Sequence, residues 1–228
     1  MPALLRQGDY DMTSPHVNWQ ASLLDTDSAP SFDSSFARLT RIQLDERSWV
    51  DHAPGWVSAS DRLFSDLVAS ASWNRRSRHM YGRRVEEPRL TSWWNAASGR
   101  PLEPPILEEM RRRLSARYGV ELDSMGLNLY RDGRDSVAWH GDRIAKEIAE
   151  PLVAIVSVGE PRKFVLRPAA RAGGTARTFH LGRGDLLVTG GRCQREWLHS
   201  VPKVLAAGAR ISITFRHGLD AEAYPDSQ

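Results

Sequence analysis

The stretch Arg210-Ile211-Ser212-Ile213-Thr214-Phe215-Arg216 alternates polar and apolar side chains. Alternation with a period of two predicts a β-strand, with both arginines, the serine and the threonine on one face. Glycine and proline punctuate a series of similar short apolar runs before it. These further candidate strands lie at 125–130, 152–158, 163–167, 176–181, 185–189 and 196–201.

Two helices are predicted ahead of these strands. The first covers 60–68, with Ser60 as its N-cap and an apolar stripe on one face. The second covers 105–118, with proline at its start, glutamates in its first turn and Gly119 at its end. Helices followed by many short strands predict an α+β fold built on a jelly roll, or double-stranded β-helix, with N-terminal helices.

The length of 228 residues is suited to one domain with short terminal segments. Residues 1–37 are rich in Ser, Asp, Pro and Thr, so we expect an extension that is flexible or draped on the domain. The domain is expected over 38–220 and a tail over 221–228. We expect a monomer.

Several classes of protein are disfavoured by the composition. No apolar run reaches the about 18–20 residues of a membrane span, and Met1–Tyr10 lacks a signal-peptide stretch, so a cytoplasmic location without a membrane partner is expected. Cys193 is the only cysteine, which excludes an internal disulfide and a cysteine-based zinc site. The pI of about 9.3 and eight tryptophans fit nucleic-acid binding without requiring it.

A candidate metal site is formed by His140, Asp142 and His199. On an extended chain His140 and Asp142 point to the same side, and sheet pairing can bring the strand of His199 beside them. Two histidines and one carboxylate on one face hold non-haem Fe(II) and leave the other face open. A surface histidine with a nearby carboxylate is the alternative, which the His-x-Asp pair alone favours.

Arg210 and Arg216 are candidates for binding an anion. An arginine inside a sandwich is costly unless a carboxylate neutralises it, and guanidinium groups match carboxylates bidentately. Two inward arginines near an iron site therefore predict a dianionic ligand such as 2-oxoglutarate. The alternative is that both arginines pair with acidic residues such as Asp185.

Over about 45–217 the chain resembles the AlkB family of Fe(II)- and 2-oxoglutarate-dependent dioxygenases, most closely its nucleic-acid repair branch. The resemblance is carried by ordered motifs: Pro88-Arg89-Leu90-Thr91-Ser92-Trp93-Trp94, Asn128-Leu129-Tyr130-Arg131-Asp132-Gly133, Asp135 through Asp142, Gly184-Asp185-Leu186-Leu187-Val188, His199-Ser200-Val201-Pro202-Lys203 and Arg210 through Arg216.

The resemblance implies Fe(II), 2-oxoglutarate and O2 as cofactor and co-substrates. His140, Asp142 and His199 would bind the iron and form the catalytic centre. Tyr130 and Arg210 would hold the C5 carboxylate of 2-oxoglutarate, and Asn128 and Arg216 would lie by its C1 carboxylate. Ser212 stands where the family usually has Asn, so we expect an altered contact there.

The segment of about 73–100 interleaves arginines with aromatic residues and resembles the nucleotide-recognition lid of the family. By this resemblance Tyr81 would intercalate into the space left by a flipped base, and Trp94 would stack on that base. The lid arginines would contact the nucleic acid; they are Arg76, Arg83 and Arg89. A solvated loop is the alternative for the arginine run.

One departure concerns the residues after Asp142. The repair branch usually has an acidic pair there, whose first carboxylate contacts the amino group of the base, whereas this chain has Ile144 and Ala145. Base recognition is then different, looser, or supplied by Glu147 or Glu150.

The function that the resemblance implies is oxidative demethylation of alkylated bases in DNA, with RNA as a further nucleic-acid partner. One alternative is the same oxygenase chemistry on RNA, a protein side chain or a small molecule. A second alternative is a non-catalytic module that binds lesions.

Overall fold

A computed structural model describes residues 15, 17, 19, 28–80, 83–142, 144, 146–169 and 175–218; for 78–80 and 83–85 it describes the backbone alone. The three α-helices in this part are α1 Ser60–Ser70, α2 Ile106–Tyr118 and α3 Cys193–Glu196. The strands are β1 Ser31–Phe32, β2 Thr40–Gln43, β3 Ser48–Ala53, β4 Val57–Ser58, β5 Asn74–Met80, β6 Arg83–Asn95, β7 Ser124–Tyr130, β8 Val137–His140, β9 Val153–Gly159, β10 Arg162–Pro168, β11 Arg177–Leu181, β12 Asp185–Gly191, β13 Trp197–Val201 and β14 Arg210–Arg216.

The strands form two main antiparallel sheets. The larger has eight strands in the order β2-β3-β12-β9-β14-β7-β6-β5, and the smaller has four in the order β11-β10-β13-β8. A two-stranded pair, β1 and β4, lies apart from both. Non-sequential neighbours such as β14 between β7 and β9 bring the last strand of the described residues to the centre of the large sheet.

Two hydrophobic clusters hold the layers together. One packs α1 and α2 on the outer face of the large sheet and includes Phe64, Met110 and Ile213. The other fills the space between the sheets, where Ile155 of the large sheet meets Phe164 of the small one. Full burial of each such side chain stabilises the fold by about 1.5–3 kcal/mol, so the two sheets are fixed against each other around any site between them.

The seven predicted strands after Gly119 correspond to β7 and β9–β14, and the bounds of β14 agree at both ends. The predicted order of helices followed by strands was wrong, because β1–β6 precede that glycine. The two predicted helices are α1 and α2. Ser60 is not the N-cap of α1: Ala59 occupies that position in the left-handed conformation, without a side-chain hydrogen bond.

Part of the predicted N-terminal extension packs on the domain. Trp19 lies 4.3 Å from Phe64 between ring centroids, and Phe36 is buried. β1 of this segment pairs with β4, which agrees with an extension draped on the domain. The predicted tail 221–228 lies outside the described residues. In the part of the chain that is described, no helix is long and apolar enough to cross a membrane.

Candidate active site

A cavity of about 440 Å³ opens between the two sheets. Its floor is formed by β14 and β7, one wall by β6 and the other by β8, β10 and β13. The side chains that line it and bear on its chemistry are Arg76, Glu86, Glu87, Arg89, Thr91, Trp93, Asn128, Tyr130, Trp139, His140, Asp142, Phe164, His199, Arg210, Ser212, Thr214 and Arg216.

His140, Asp142 and His199 meet in this cavity, as the sequence predicts. His140 ends β8 and lies directly opposite His199 of β13 in the antiparallel register. Asp142 follows two residues after the strand, and one ligand atom from each of the three residues lies within 4.8 Å of the others. The sheet pairing thus converts the short His-x-Asp pair and a distant histidine into one cluster.

The three side chains are oriented by their surroundings. His140 Nδ1 lies 2.8 Å from the carbonyl oxygen of Ala138 and donates a hydrogen bond to it. Nε2 is therefore the nitrogen left to bind a metal. The ring of His199 stacks on Phe164 at 5.3 Å. The backbone N–H of Asp142 donates to Gln194 Oε1, 3.2 Å away. Neither Phe164 nor Gln194 was predicted, since a buried aromatic or amide has no local sequence signature.

The charge states of the cluster suit a divalent cation. Arg216 donates from Nη2 and Nε to the same oxygen, Oδ1 of Asp142, over 2.9 and 3.1 Å. Burial alone would raise the pKa of Asp142, but the charge of Arg216 lowers it to about 2. Burial lowers the pKa of His199 to about 3 and also lowers that of His140. One carboxylate and two neutral imidazoles result at neutral pH.

This donor set fits Fe(II). Two imidazole nitrogens and one carboxylate oxygen on one side are the ligands of non-haem Fe(II) sites with open positions. Asp142 Oδ2, which Arg216 does not contact, lies 4.0 Å from His199 Nε2. Ligand atoms at this spacing can share one ion, and the Ala138 carbonyl and the Arg216 guanidinium hold two of the ligands in place.

Arg210 is the residue in the cavity whose hydrogen bonding is least complete. Its side chain is 1% exposed, and Nη2 donates to Ser157 Oγ over 2.6 Å. Nε and Nη1 have no hydrogen-bond partner among the described residues. Burial lowers its pKa to about 10, which leaves the guanidinium charged at neutral pH. A buried charge with two free donors fits a carboxylate ligand.

The alternative that acidic residues pair with both arginines holds for Arg216 and does not hold for Arg210. The carboxylate of Asp185 accepts hydrogen bonds from the backbone N–H groups of Gly55 and Gly182 and is not hydrogen-bonded to either arginine. Arg216 does pair with an acid, but that acid is the metal-ligand candidate Asp142. Arg210 therefore remains the open anion site.

Three of the other predicted co-substrate residues, Tyr130, Asn128 and Ser212, lie near Arg210 in the register, whereas Arg216 lies at the other end of β14. In the register Tyr130 faces Arg210 and Asn128 faces Ser212, and the Tyr130 ring is 5.4 Å from the Arg210 guanidinium. Ser212 Oγ is 3.3 Å from Thr214 Oγ1. Asn128 Oδ1 accepts from Arg89 Nε over 2.9 Å, which leaves its amide N–H groups for a ligand.

The predicted nucleic-acid contacts are placed unevenly. Arg76 and Arg89 line the cavity. Trp94 does not: its indole N–H donates to the Arg100 carbonyl, and the ring packs on the helix-side core. Trp93 faces the cavity instead, with the guanidinium of Arg76 5.7 Å from its ring and that of Arg216 5.2 Å away.

The prediction that Trp94 stacks on a base is therefore wrong, because Trp93, and not Trp94, lines the cavity. The parity of the strand explains the error, because Trp93 shares a face with Arg89 and Thr91 while Trp94 points to the other side. Tyr81 lies outside the described residues. The backbone of Arg83 pairs with that of Met80 in the β5–β6 hairpin, and its side chain is not described.

The described residues that follow Asp142, from Ile144 to Glu150, do not line the cavity. Ile144 is buried in the cluster between the sheets, and its carbonyl oxygen accepts a 3.3 Å hydrogen bond from Arg195 Nη1. Glu147 and Glu150 are exposed and do not line the cavity. Among the described residues the carboxylates that line it, apart from Asp142, are Glu86 and Glu87 of β6.

Residues 51–216 match the model of the 2OG-Fe(II) oxygenase superfamily. The chain belongs to this superfamily. The family is named for 2-oxoglutarate and Fe(II), and the His140–Asp142–His199 cluster lies inside the matched range.

Its similarity to AlkB proteins confirms the resemblance seen in the motifs. The chain is 30% identical over 192 residues to alpha-ketoglutarate-dependent dioxygenase alkB homolog 3 of Homo sapiens, covering 76% of this chain and 65% of that protein. It is 32% identical over 191 residues to DNA oxidative demethylase ALKBH2 of Arabidopsis thaliana, covering 68% and 60%. The chain thus spans somewhat less than two thirds of these relatives.

Solved structures confirm the fold. The structure of OsALKBH1 superposes with a TM-score of 0.55 at 14% identity, over 78% of this chain and 99% of that one. A prolyl hydroxylase from Trichoplax adhaerens gives a TM-score of 0.53 at 10% identity, over 78% and 87%. A mostly β jelly roll of the 2-oxoglutarate oxygenase type is therefore the architecture of this chain.

Proposed function

We propose that this protein is a 2-oxoglutarate-dependent dioxygenase that removes N-linked alkyl groups from nucleobases in DNA. The observation that carries the proposal is the buried Arg210, with two unpaired nitrogens, in the same cavity as the His140–Asp142–His199 cluster. A carboxylate-binding site and a three-ligand metal site in one cavity are what the two co-substrates require.

In this proposal Arg210 and Tyr130 bind the C5 carboxylate of 2-oxoglutarate. Arg210 donates from Nε and Nη1, the two nitrogens without a protein partner. Asn128 lies opposite Ser212 on the path from Arg210 to the metal cluster and contacts the other end of the co-substrate. Burial of these groups excludes water and strengthens each contact.

His140, Asp142 and His199 hold the Fe(II), which, when bound, supplies O2 activation for hydroxylation of the alkyl carbon. The protein keeps the ligands in their metal-binding states: Arg216 holds Asp142 as a carboxylate, and the Ala138 carbonyl accepts a hydrogen bond from His140 Nδ1. One oxygen atom enters the alkyl carbon and the other converts 2-oxoglutarate to succinate and CO2, after which the hydroxylated alkyl group leaves the repaired base as an aldehyde. The residues of the chain orient the substrate and exclude water.

The substrate assignment is supported by the cavity wall and by the relatives. Trp93 offers a ring on which a flipped base can stack, and Arg76 and Arg89 bring positive charge for the backbone. The Arabidopsis relative is named a DNA oxidative demethylase. We extend this activity to the present chain because its cavity combines an aromatic wall with basic residues at the metal site.

We further propose that the hairpin of β5 and β6, within about 73–100, is the nucleotide-recognition lid, and that α1 and α2 are the N-terminal helices of a domain over 38–220. The lid role is supported by the hairpin's position at the edge of the large sheet, beside the cavity. The N-terminal extension 1–37, the monomeric state and a cytoplasmic location stay predictions; gel filtration and cell fractionation would test the last two.

A second candidate function is the same oxygenase chemistry on another substrate, such as RNA, a protein side chain or a small molecule. It is favoured by Ile144, which is buried between the sheets where the repair branch has an acid that contacts the base. A non-catalytic lesion-binding module is the third reading, and the complete metal cluster argues against it.

The test is an assay for formaldehyde with oligonucleotides that carry N1-methyladenine or N3-methylcytosine, as DNA and as RNA, single- and double-stranded. We expect release that depends on Fe(II), 2-oxoglutarate and O2 and that is lost in His140→Ala. Succinate formation without demethylation of any oligonucleotide would favour the second candidate. Tight lesion binding with neither product would favour the third.

A further inference from the structure

An exposed tryptophan lies at the mouth of the cavity. Trp139 directly precedes the metal-ligand candidate His140 on β8, which is the edge strand of the small sheet. Its ring is 39% exposed, and Trp139 also lines the cavity. A single exposed aromatic needs no explanation by itself, but this one lines the cavity and directly precedes a metal-ligand candidate.

Trp139 is stacked against an arginine from another strand. The guanidinium of Arg167, on β10, lies 4.3 Å from the Trp139 ring centroid, reaching across β13. Arg167 is exposed and has no ion pair with a carboxylate in the described part of the chain. A guanidinium that lies flat on a ring keeps its N–H edges available for phosphate oxygens.

The sheet that carries this pair is positively charged. Its four strands contain no aspartate or glutamate, and residues 161–181 contain five lysines and arginines and no acidic residue. Lys163, Arg177 and His180 are exposed there with Arg167. The acids that flank these strands are paired: Glu160 with Arg183, and Glu196 with Arg47 and Arg192. Such a surface attracts a polyanion.

We infer that this mouth surface, defined by Trp139, Arg167 and Lys163, binds single-stranded nucleic acid next to the nucleotide in the cavity. Trp139 stacks on a neighbouring base, and Arg167 binds the adjoining phosphate. A ring beside a cation matches the alternating bases and phosphates of a single strand, whereas an acidic peptide offers only the charge. The inference rests on the proposed function and extends it from one base to the strand.

The first experiment measures binding of a labelled, unmethylated single-stranded DNA of about twelve nucleotides by fluorescence anisotropy. Trp139→Ala should weaken binding about tenfold, from the loss of one base stack, and Trp139→Phe should retain most of it. Arg167→Gln should reduce the slope of log Kd against log salt concentration by about 0.7, the value for one phosphate on a single strand.

Two matched variants serve as controls on the same fold. Leu205→Ala removes the other exposed large hydrophobic side chain, and Arg134→Gln removes an arginine whose side chain is 89% exposed and paired with Asp132. Both should bind the oligonucleotide like the wild type. An equal loss of oligonucleotide affinity in Arg134→Gln would show that the Arg167 effect comes from net charge alone. That result would overturn the phosphate contact assigned to Arg167.

The outcome for this surface is separable from the proposed function. If the wild type demethylates the oligonucleotide and Trp139→Ala binds DNA as tightly as the wild type, the mouth surface is wrong and the function stands. If Trp139→Ala weakens binding although no base is demethylated, the surface stands and the function is wrong. Full displacement of the DNA by polyglutamate at equal charge concentration would overturn recognition by stacking.

Discussion

The two ends of β14 carry the same residue type in opposite states. Arg216 and Arg210 share one face of one strand, and they are 6% and 1% exposed. Arg216 has a carboxylate partner, Asp142, held by two hydrogen bonds. The Arg210 side chain hydrogen-bonds to the neutral Ser157 and also interacts with Tyr130, and its Nε and Nη1 have no hydrogen-bond partner in the described chain. The protein therefore completes the first site and leaves the second open.

The two arginines differ in what balances their charge: a protein carboxylate balances Arg216, whereas Arg210 needs a bound ligand. A buried ion pair with good geometry is stable once formed, whereas a buried charge without a counter-ion costs several kcal/mol. The Arg216 end thus prepares a metal ligand in the absence of any small molecule. At the Arg210 end, burial of a charge without a counter-ion lowers the free energy of unfolding of the free protein. An anionic ligand offsets this loss, so the ligand complex is more stable than the free protein.

The largest expected effect is that of Arg216→Met. It leaves Asp142 buried without its counter-charge, so we expect a loss of about 3–5 kcal/mol in the free energy of unfolding together with loss of turnover. Urea denaturation and succinate formation measure the two quantities. The double variant Arg216→Met with Asp142→Leu should recover most of the stability and none of the turnover. A single variant as stable as the wild type would contradict the ion-pair assignment.

Arg210→Met should behave in the opposite way. Removing an unpaired buried charge should leave the free protein equally stable or more stable by about 1–3 kcal/mol. The KM for 2-oxoglutarate should rise about 100-fold, because two charge-assisted hydrogen bonds worth about 1.5 kcal/mol each are lost. Thermal unfolding with and without 2-oxoglutarate, and initial rates, test both parts.

A conservative variant sharpens this test. Arg210→Lys keeps the charge but loses the planar pair of donors, so its KM should lie between those of the wild type and Arg210→Met. Stabilisation of Arg210→Met by 2-oxoglutarate to the same extent as the wild type would place the carboxylate elsewhere in the cavity.

The contrast between the two arginines was only partly predictable from sequence. The alternation in Arg210–Arg216 predicts their common face, and spacing with pairing predicts the meeting of His140 and His199. The sequence does not predict which arginine has a protein partner. The partner of Arg216 depends on where the backbone places Asp142 after β8. Asp185 is not a partner of Arg210 because its carboxylate accepts hydrogen bonds from the backbone N–H groups of Gly55 and Gly182.

The cavity wall of β6 shows the same limit. Its run of arginines, glutamates and tryptophans has no clean alternation of polar and apolar residues, so the strand was not predicted from its pattern. Once the strand is known, parity alone selects Trp93 over Trp94, since Arg89 and Thr91 already face the cavity. Tertiary pairing with β7 supplies what local pattern lacks.

Gly126→Ala should disturb the Arg216 end of β14 and spare the Arg210 end. A methyl group at Gly126 would lie 3.1 Å from Arg216 Nη1 and 3.1 Å from the Trp93 ring, so both must shift by a few tenths of an ångström. We expect Fe(II) affinity to fall about tenfold, as for other displaced partners of metal ligands. The KM for 2-oxoglutarate should rise far less than in Arg210→Met, because the donors of Arg210 are not displaced.

Anaerobic Fe(II) titration measures this effect, and Gly99→Ala is the control. Gly99 has open space around it but a φ of +66°, so its alanine variant loses stability through backbone strain without touching the cavity. Equal loss of Fe(II) affinity in both variants would mean that general destabilisation, and not the Trp93–Arg216 contact, controls the metal site.

The smallest expected effect is that of Ser212→Asn, between the two arginines. Ser212 faces Asn128 across the register and holds a 3.3 Å contact with Thr214, where AlkB proteins usually have asparagine. The longer amide should add one hydrogen bond to the co-substrate and lower its KM about two- to fivefold, the effect of a bond worth about 0.5–1 kcal/mol. Stability and Fe(II) affinity should not change, because Asp142 and Arg216 keep their pairing. An unchanged KM in Ser212→Asn, with a raised KM in Ser212→Ala, would show that the hydroxyl already makes this contact and that the open donors of Arg210 are the part of β14 that sets co-substrate affinity.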